Sequence, residues 1–355
     1  MEGIEIMKRI FILLAIAVES YAAFSIPLTD LSNGETGRIE FQSITPPDRY
    51  QYARLNMENT AIITIFADLV MPNNYQFSAK VPAVVLSHGS GGVTSNITEV
   101  WKKELNAAGY AVFIPDSYTP RGVSETNSNV DAIPYPVHVA DTLNALKVLA
   151  THPNIDNKRI YNMGFSKGGN AAFDTAWPTW QRPIDTNGIK FAGHIVWYPG
   201  NCNIRYRTDD REVPTAPMLV LLADHKLEES QDVLVCRRYY DELIKKGSPI
   251  NYKEYKDARH GFDDSNFTYR VNRRTSSAKR CDMEVFMTTK RGSGVGNNGY
   301  DFKRDSTILT DANFVSSLRL CLDNGNVSGS RGGWTAREVQ GESVKDAMKF
   351  LRSLP

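Results

Sequence analysis

The sequence is almost without net charge: 41 Lys and Arg stand against 40 Asp and Glu, leaving +1 over 355 residues. Such a chain lacks the basic surface by which proteins hold nucleic acid, and it projects no strong field toward an acidic partner. Cysteine is scarce. Cys202, Cys236, Cys281 and Cys321 are the four present, with no CxxC and no Cys/His spacing that would build a zinc site. The glycines of "LSHGSGG" do not have G-x-G-x-x-G spacing and no Walker lysine follows them, so this strand-end loop is not a cradle of the common dinucleotide or nucleoside triphosphate type. No segment repeats. Long apolar runs are also lacking: "IFILLAIAV" (Ile10 to Val18) is too short for a comfortable membrane span.

That one run has a different meaning. Lys8 and Arg9 precede it and the small residues of "ESYAAFS" follow, which is the order of charge, apolar segment and cleavage region in a secretory signal peptide. Residues 1–23 are therefore expected to be a signal, cut after Ala22 or Ala23, and the protein to be periplasmic or secreted. The remainder is 24–355, a single domain with no stable membrane insertion. At 41% hydrophobic and 23% charged, the composition of the whole chain is ordinary for a packed globular protein. In an oxidising compartment its cysteines favour disulfides over free thiols. The sequence sets no oligomeric state.

From about residue 80 to 260 the pattern alternates between strand and helix. "VPAVVLSHGSGG" is an apolar strand that breaks into glycines, and "NITEVWKKELNAAGY" follows with helical spacing. "AVFIPDSYTP", "KRIYNMGFS", "FAGHIVWYPG", "APMLVLLAD" and "INYKEYKDARHGF" read as further strands with their exit loops, separated by helical stretches. This order predicts an α/β fold with a mostly parallel, doubly wound sheet and helices on both faces. Two earlier strands, in "GRIEFQSI" and "TAIITIFADLVMP", have no helix between them and predict an antiparallel start. The catalytic core is placed at about 58–265. Residues 275–333, rich in Arg, Ser, Asn and Gly, read as a long irregular insertion that Cys281 and Cys321 could clip. Residues 335–353 return to helical spacing and read as a closing helix, with Val339, Val344, Met348 and Leu351 on one side.

The chemistry centres on "NMGFSKGGNAA". Ser166 fits G-x-S-x-G between a strand and a helix, where a sharp turn lifts the serine hydroxyl above the sheet and flanking glycines relieve the crowding. Read plainly, the same pattern is only a tight glycine turn. A serine nucleophile needs a base. His260, in the loop after the last strand, comes after the serine and the acid as triads on such sheets require. His88, His138, His152, His194 and His225 fit less well, and His194 lies within an apolar strand. The N–H of Lys167, at the start of the helix, and that of Gly89 or Ser90 in "SHGSGG" are the expected oxyanion donors. The acid belongs just past "PMLVLLAD", where Asp224, Glu228, Glu229 and Asp232 all stand.

"VVLSHGSGG", "PDSYTPRG", "DTLNALKVLATHPNIDNKRIYNMGFSKGG", "WYPGNC" and "ARHGFDD" stand in the order found in the dienelactone hydrolase family of the α/β-hydrolase fold, which the chain resembles over roughly residues 60 to 265. The resemblance is to the exported branch with a serine nucleophile. It implies hydrolysis of a small ester or lactone with no metal and no organic cofactor. It implies a disulfide between Cys202 and Cys236. For the acid, counting from the strand end favours Asp224, and counting back from Cys236 favours Glu228; Asp224 is the first choice and Glu228 the alternative. The "DSYTPRG" loop makes Tyr118 and Arg121 candidate substrate-binding residues, Arg121 serving either an anionic substrate group or, in the preferred reading, Asp116 as a structural partner. Trp177, Trp180 and Trp197 either line an acyl site or pack the core. A peptidase or acyltransferase on the same fold, and a binding protein without catalysis, are the competing functions.

Overall fold

The computed structural model describes residues 27–355 apart from 54, 74, 77–78, 208–211, 265–276, 287–290, 296–300 and 303–335. Residues 1–23, expected to be the signal, and Cys321 therefore lie outside the described residues. No helix among those described is long and apolar enough to cross a membrane.

Twelve strands and seven α-helices follow in chain order among the described residues. The main sheet has eight strands: β1 (Gly37–Thr45), β2 (Ala61–Val70), β3 (Val81–Ser87), β4 (Ala111–Asp116), β5 (Ile155–Phe165), β6 (Gly193–Trp197), β8 (Met218–Leu222) and β9 (Ile250–Glu254), in the order β1-β2-β4-β3-β5-β6-β8-β9. β1 runs antiparallel to β2 and β2 antiparallel to β4; every later pairing in this sheet is parallel. This is the α/β-hydrolase arrangement.

The apolar strands fill both faces, as a sheet covered on both sides demands. In β3, Ala83 and Val85 join one core while Val84 and Leu86 join the other; in β8, Met218, Val220 and Leu222 alternate in the same way with Leu219 and Leu221. The first core is closed by α3 (Val137–Leu149), α4 (Lys167–Asp174) and α6 (Val233–Lys245). The second is closed by a π-helical turn (Asn96–Trp101) leading into α2 (Lys102–Ala107), and by the C-terminal α7 (Ala336–Ser353), which buries Val339, Met348 and Leu351. The short helices α1 (Arg49–Ala53) and α5 (Pro178–Gln181) add Tyr52 and Trp180 to the first core.

One expectation needs correction. The segment from 275 onward is not wholly irregular. Within it β10 (Met283–Phe286), β11 (Arg291–Val295) and β12 (Asp301–Phe302) pair with β7 (Ile204–Arg207) in a second sheet, ordered β12-β11-β10-β7. Met283 stands opposite Ile204 in parallel register. These strands are short and β11 is rich in Gly and Ser, while Ile204 and Met283 join the first core.

After β3 the chain moves to β4 on one side and returns to β5 on the other. The crevice at the carboxyl ends of β3 and β5 is thus the switch point where ligands bind in open α/β sheets.

Candidate active site

β5 ends at Phe165 and α4 begins at Lys167, so Ser166 alone makes the turn. Its backbone is at φ 54°, ψ −113°, a conformation unfavourable for any residue with a side chain. Two backbone hydrogen bonds hold it there. Ser166 N–H donates to Trp197 O at 3.0 Å, and Asn170 N–H donates to Ser166 O at 3.0 Å. The glycines act in packing. A Cβ on Gly164 would fall 2.0 Å from Gly168 O, and one on Gly168 would fall 2.0 Å from Ser87 O. The helix can press onto the ends of β3 and β5 only because neither position carries a side chain.

His260 lies in the loop after β9. Its Nε2 is 2.9 Å from Ser166 Oγ, and its Nδ1 is 3.2 Å from Glu228 Oε2. Glu228 is fully buried, and its Oε1 accepts from the N–H groups of Glu229 at 3.0 Å and Ser230 at 2.8 Å. Burial pushes this carboxyl up, but His260 and the two N–H groups outweigh it and hold it below the usual carboxylate range.

Asp224 does not reach His260. Its Oδ1 accepts from Lys226 N–H at 2.8 Å and its Oδ2 from Asp257 N–H at 2.9 Å. Its carbonyl oxygen accepts from Leu227 N–H at 3.0 Å and Glu228 N–H at 2.8 Å. Asp224 builds one helical turn, and Glu228 is carried to the histidine at the end of it. Asp232 is used elsewhere, capping α6 through the N–H groups of Leu234 and Val235.

The loop of His260 is anchored by a residue that the sequence did not mark. Asp263, fully buried, accepts from Trp101 Nε1 at 2.8 Å, Asn96 Nδ2 at 2.6 Å and the hydroxyl of Tyr198. Tyr198 follows β6 with φ 36°, and its ring centroid is 4.7 Å from that of His260. The acids of "ARHGFDD", three and four residues past the histidine, were the only local signal.

Gly89 faces the nucleophile: a Cβ there would be 3.5 Å from Ser166 Cβ and 3.1 Å from Phe165 O. His88 shapes this loop. Its Nε2 accepts from Ser117 N–H at 3.1 Å, so its Nδ1 carries the proton and donates to Gly89 O at 2.9 Å. Burial lowers the pKa of His88 and keeps it neutral in that role. Lys167 N–H belongs to the first turn of α4, where helix N–H groups have no intrahelical acceptor.

Ser166, Lys167, Ser90 and His260 open into a cleft of about 420 Å³, whose far walls include Arg49, Asp131, Tyr135, Asn201 and Gln231. Lys167 Nζ reaches Thr126 Oγ1 at 3.3 Å, and burial lowers its pKa to about 8.

Tyr118 and Arg121 do not line this cleft. The Tyr118 hydroxyl is 2.9 Å from Thr126 Oγ1, and its ring packs edge-on against His88. Arg121 is held not by Asp116 but by Asp141, with Nη1 2.8 Å from Oδ2 and Nη2 3.0 Å from Oδ1. Its other donors go to Thr45 Oγ1, Ile44 O and Ser117 O. With every direction taken, no donor faces a substrate. Trp177, Trp180 and Trp197 are core residues, all buried and none on the cleft. Cys202 is bonded to Cys236, which ties the loop after β6 to α6. Cys281 is also disulfide-bonded.

Among the described residues, one group has metal-ligand composition: Asp224, His225 and Glu254. Its atoms already satisfy one another and the backbone, with His225 Nδ1 2.7 Å from Glu254 Oε1 and both Asp224 oxygens on N–H groups.

Residues 67–289, more than half of the chain, match the dienelactone hydrolase family. The chain belongs to that family. Membership points to a hydrolase acting on esters or lactones. Among solved structures, esterase 2 of Thermogutta terrifontis phosphorylated by paraoxon is 16% identical, with a TM-score of 0.47 over 57% of this chain and 82% of that one. The propionate-bound form of the same thermophilic esterase gives a TM-score of 0.44 at 16% identity, over 57% and 81%. A protein of Klebsiella pneumoniae subsp. pneumoniae, provisionally named a dienelactone hydrolase, is 15% identical, with a TM-score of 0.42 over 63% and 88%. No curated protein matches the chain.

Proposed function

We propose that this protein is an exported serine hydrolase that cleaves carboxylic esters or lactones through an acyl-enzyme on Ser166. The observation that carries the reading is the unbroken line from Ser166 Oγ through His260 to Glu228, at 2.9 and 3.2 Å, on a serine whose backbone is held at positive φ.

His260 Nε2 takes the proton of Ser166 Oγ as that oxygen attacks the carbonyl carbon. The carbonyl oxygen becomes an oxyanion and is met by the N–H of Lys167 and that of Gly89 or Ser90. Glu228 holds Nδ1–H and balances the imidazolium charge while it exists. When the tetrahedral centre collapses, Nε2–H passes its proton to the departing alkoxide. Water then attacks the acyl carbon, giving its proton to Nε2. The carboxylic acid leaves, and the proton returns to Ser166 Oγ. Each step uses this chain's own side chains and water.

Export is supported by the charge, apolar run and small residues of 1–23 and by the Cys202–Cys236 bond, which belongs to an oxidising compartment. A fluorophosphonate probe tests the catalytic reading. Labelling of the wild-type chain should abolish its ester hydrolysis, and Ser166→Ala should neither label nor hydrolyse esters. A wild-type protein that hydrolyses esters yet still labels after Ser166→Ala would refute Ser166 as the nucleophile.

A further inference from the structure

The far wall of the cleft holds two buried carboxamides whose hydrogen bonds are incomplete. Gln231 lines the cleft and is 1% exposed, and neither its Nε2 nor its Oε1 has a partner. Asn201 lines the same cleft and is 4% exposed. Its Nδ2 donates to Asp174 Oδ1 at 3.4 Å, and its Oδ1 accepts nothing.

Both residues are placed by neighbouring structure rather than by these side-chain groups. Asn170, one turn along from Ser166, accepts through Oδ1 from Gly200 N–H at 2.7 Å and Asn201 N–H at 3.1 Å. Asp232 N–H donates to Asn203 Oδ1 at 3.0 Å, which joins the chain just past Gln231 to the chain just past Asn201. The Cys202–Cys236 bond ties the same two segments. The fold therefore spends rigid positioning on two amides and leaves their polar atoms unmatched. A buried polar group without a protein partner is unfavourable, so a ligand group or water that enters the cleft and completes these bonds is favoured there.

The unmatched set is two acceptors, Asn201 Oδ1 and Gln231 Oε1, and one donor nitrogen, Gln231 Nε2. An alkyl chain would match none of them. An anion, which only accepts, would leave both oxygens unmet. A cation, which only donates, would leave Nε2 unmet. A hydroxyl group both donates and accepts and rotates to suit.

We propose that Gln231 and Asn201 form a hydroxyl-recognising subsite, and that the preferred substrates are esters carrying hydroxyl groups on the acyl or alcohol part. The inference rests on the hydrolase reading above and gives it a substrate class.

The test uses the full chain and two size-matched ester pairs: propyl butanoate against glyceryl 1-monobutanoate, and ethyl butanoate against ethyl 3-hydroxybutanoate. In at least one pair, kcat/KM for the hydroxylated member should be higher by about tenfold, as one or two added hydrogen bonds to buried groups imply. Gln231→Met keeps the unbranched shape and should bring that ratio toward one. Its thermal midpoint should equal or exceed that of wild type, since a buried amide without a partner has been removed. Ratios near one in both pairs, or a preference that survives Gln231→Met, would overturn the subsite while leaving the hydrolase intact. A thermal midpoint lowered by several degrees would also overturn it, because the amide would then have a structural partner. Failure of wild type to hydrolyse any of the four esters or to label with fluorophosphonate would remove the hydrolase reading and the subsite with it.

Discussion

Glu228→Gln and Asp224→Asn form a paired test of which carboxylate serves His260. Glu228 Oε2 lies 3.2 Å from Nδ1. Gln keeps the shape and can still accept from Nδ1–H, so the change removes charge and little else. The charge matters only while His260 is an imidazolium. Two opposite unit charges at that separation, in an effective dielectric of ~20, attract by about 5 kcal/mol. Loss of that attraction in the transition state predicts a fall in kcat of roughly 10³ to 10⁴. Asp224 should behave differently. Its two oxygens accept from Lys226 N–H and Asp257 N–H, and Asn can serve only one of them. Asp224→Asn should lower stability by about 1–3 kcal/mol and leave kcat within about fivefold. Steady-state hydrolysis of 4-nitrophenyl butanoate, with urea unfolding on the same preparations, reads both effects. A loss of three decades in Asp224→Asn, or of less than tenfold in Glu228→Gln, would show the assignment to be wrong.

Arg121→Met should destabilise the protein by roughly 3–5 kcal/mol, because it leaves the buried Asp141 without its partner. KM for a neutral ester should stay within about twofold; a tenfold rise in KM with normal urea unfolding would return Arg121 to the substrate. Asp174 should give stability a falling pH dependence. Burial raises its pKa from 3.8 to about 7, despite the hydrogen bonds from Tyr135 and Asn201. Because the folded value is the higher, the contribution to stability is complete below about pH 4 and is lost as pH rises through about 7, on the order of 4 kcal/mol in all. Asp174→Asn should flatten that slope in unfolding measured from pH 4 to 8, and an unchanged slope would place the titrating group elsewhere.

Much of the main sheet was readable because burial on both faces leaves a mark in local sequence. "MLVLL" and "VPAVVLS" can hardly be anything but covered strands. Ser166 was readable for the same reason: a sharp turn beneath a close-packed helix needs Gly164 and Gly168, and both are in the string. The second sheet left no such mark. "IRYR" and "RGSGV" each join "MEVF" through backbone hydrogen bonds that any sequence can make, so no local pattern announces the pairing. Arg121 shows a further limit. Its charge is visible, but its partner Asp141 is twenty residues on, in a helix whose placement against the loop only the fold decides.

The two carboxylates and the two carboxamides share one cause for being hard to read. A strand end fixes where a loop leaves the sheet, and Asp224 is at that point after β8. It does not fix how many residues the loop uses before turning a side chain toward the histidine. Here Asp224 spends its own carboxylate on the first turn, through Lys226 N–H and Asp257 N–H, and that turn delivers Glu228. The nearest acid in sequence is thus the scaffold for the acid in contact. "EESQD" likewise looks like a solvated polar run, and within it Glu228 and Gln231 are almost wholly buried. The run is held by the loop after β6 through Asn203 and the Cys202–Cys236 bond, and by the segment leading to β10 through Ala278 N–H on Ser230 O, all distant in the chain. Polar residues buried by non-local structure carry no local signature, so the acid and the substrate wall were the parts of the site that required the fold to find.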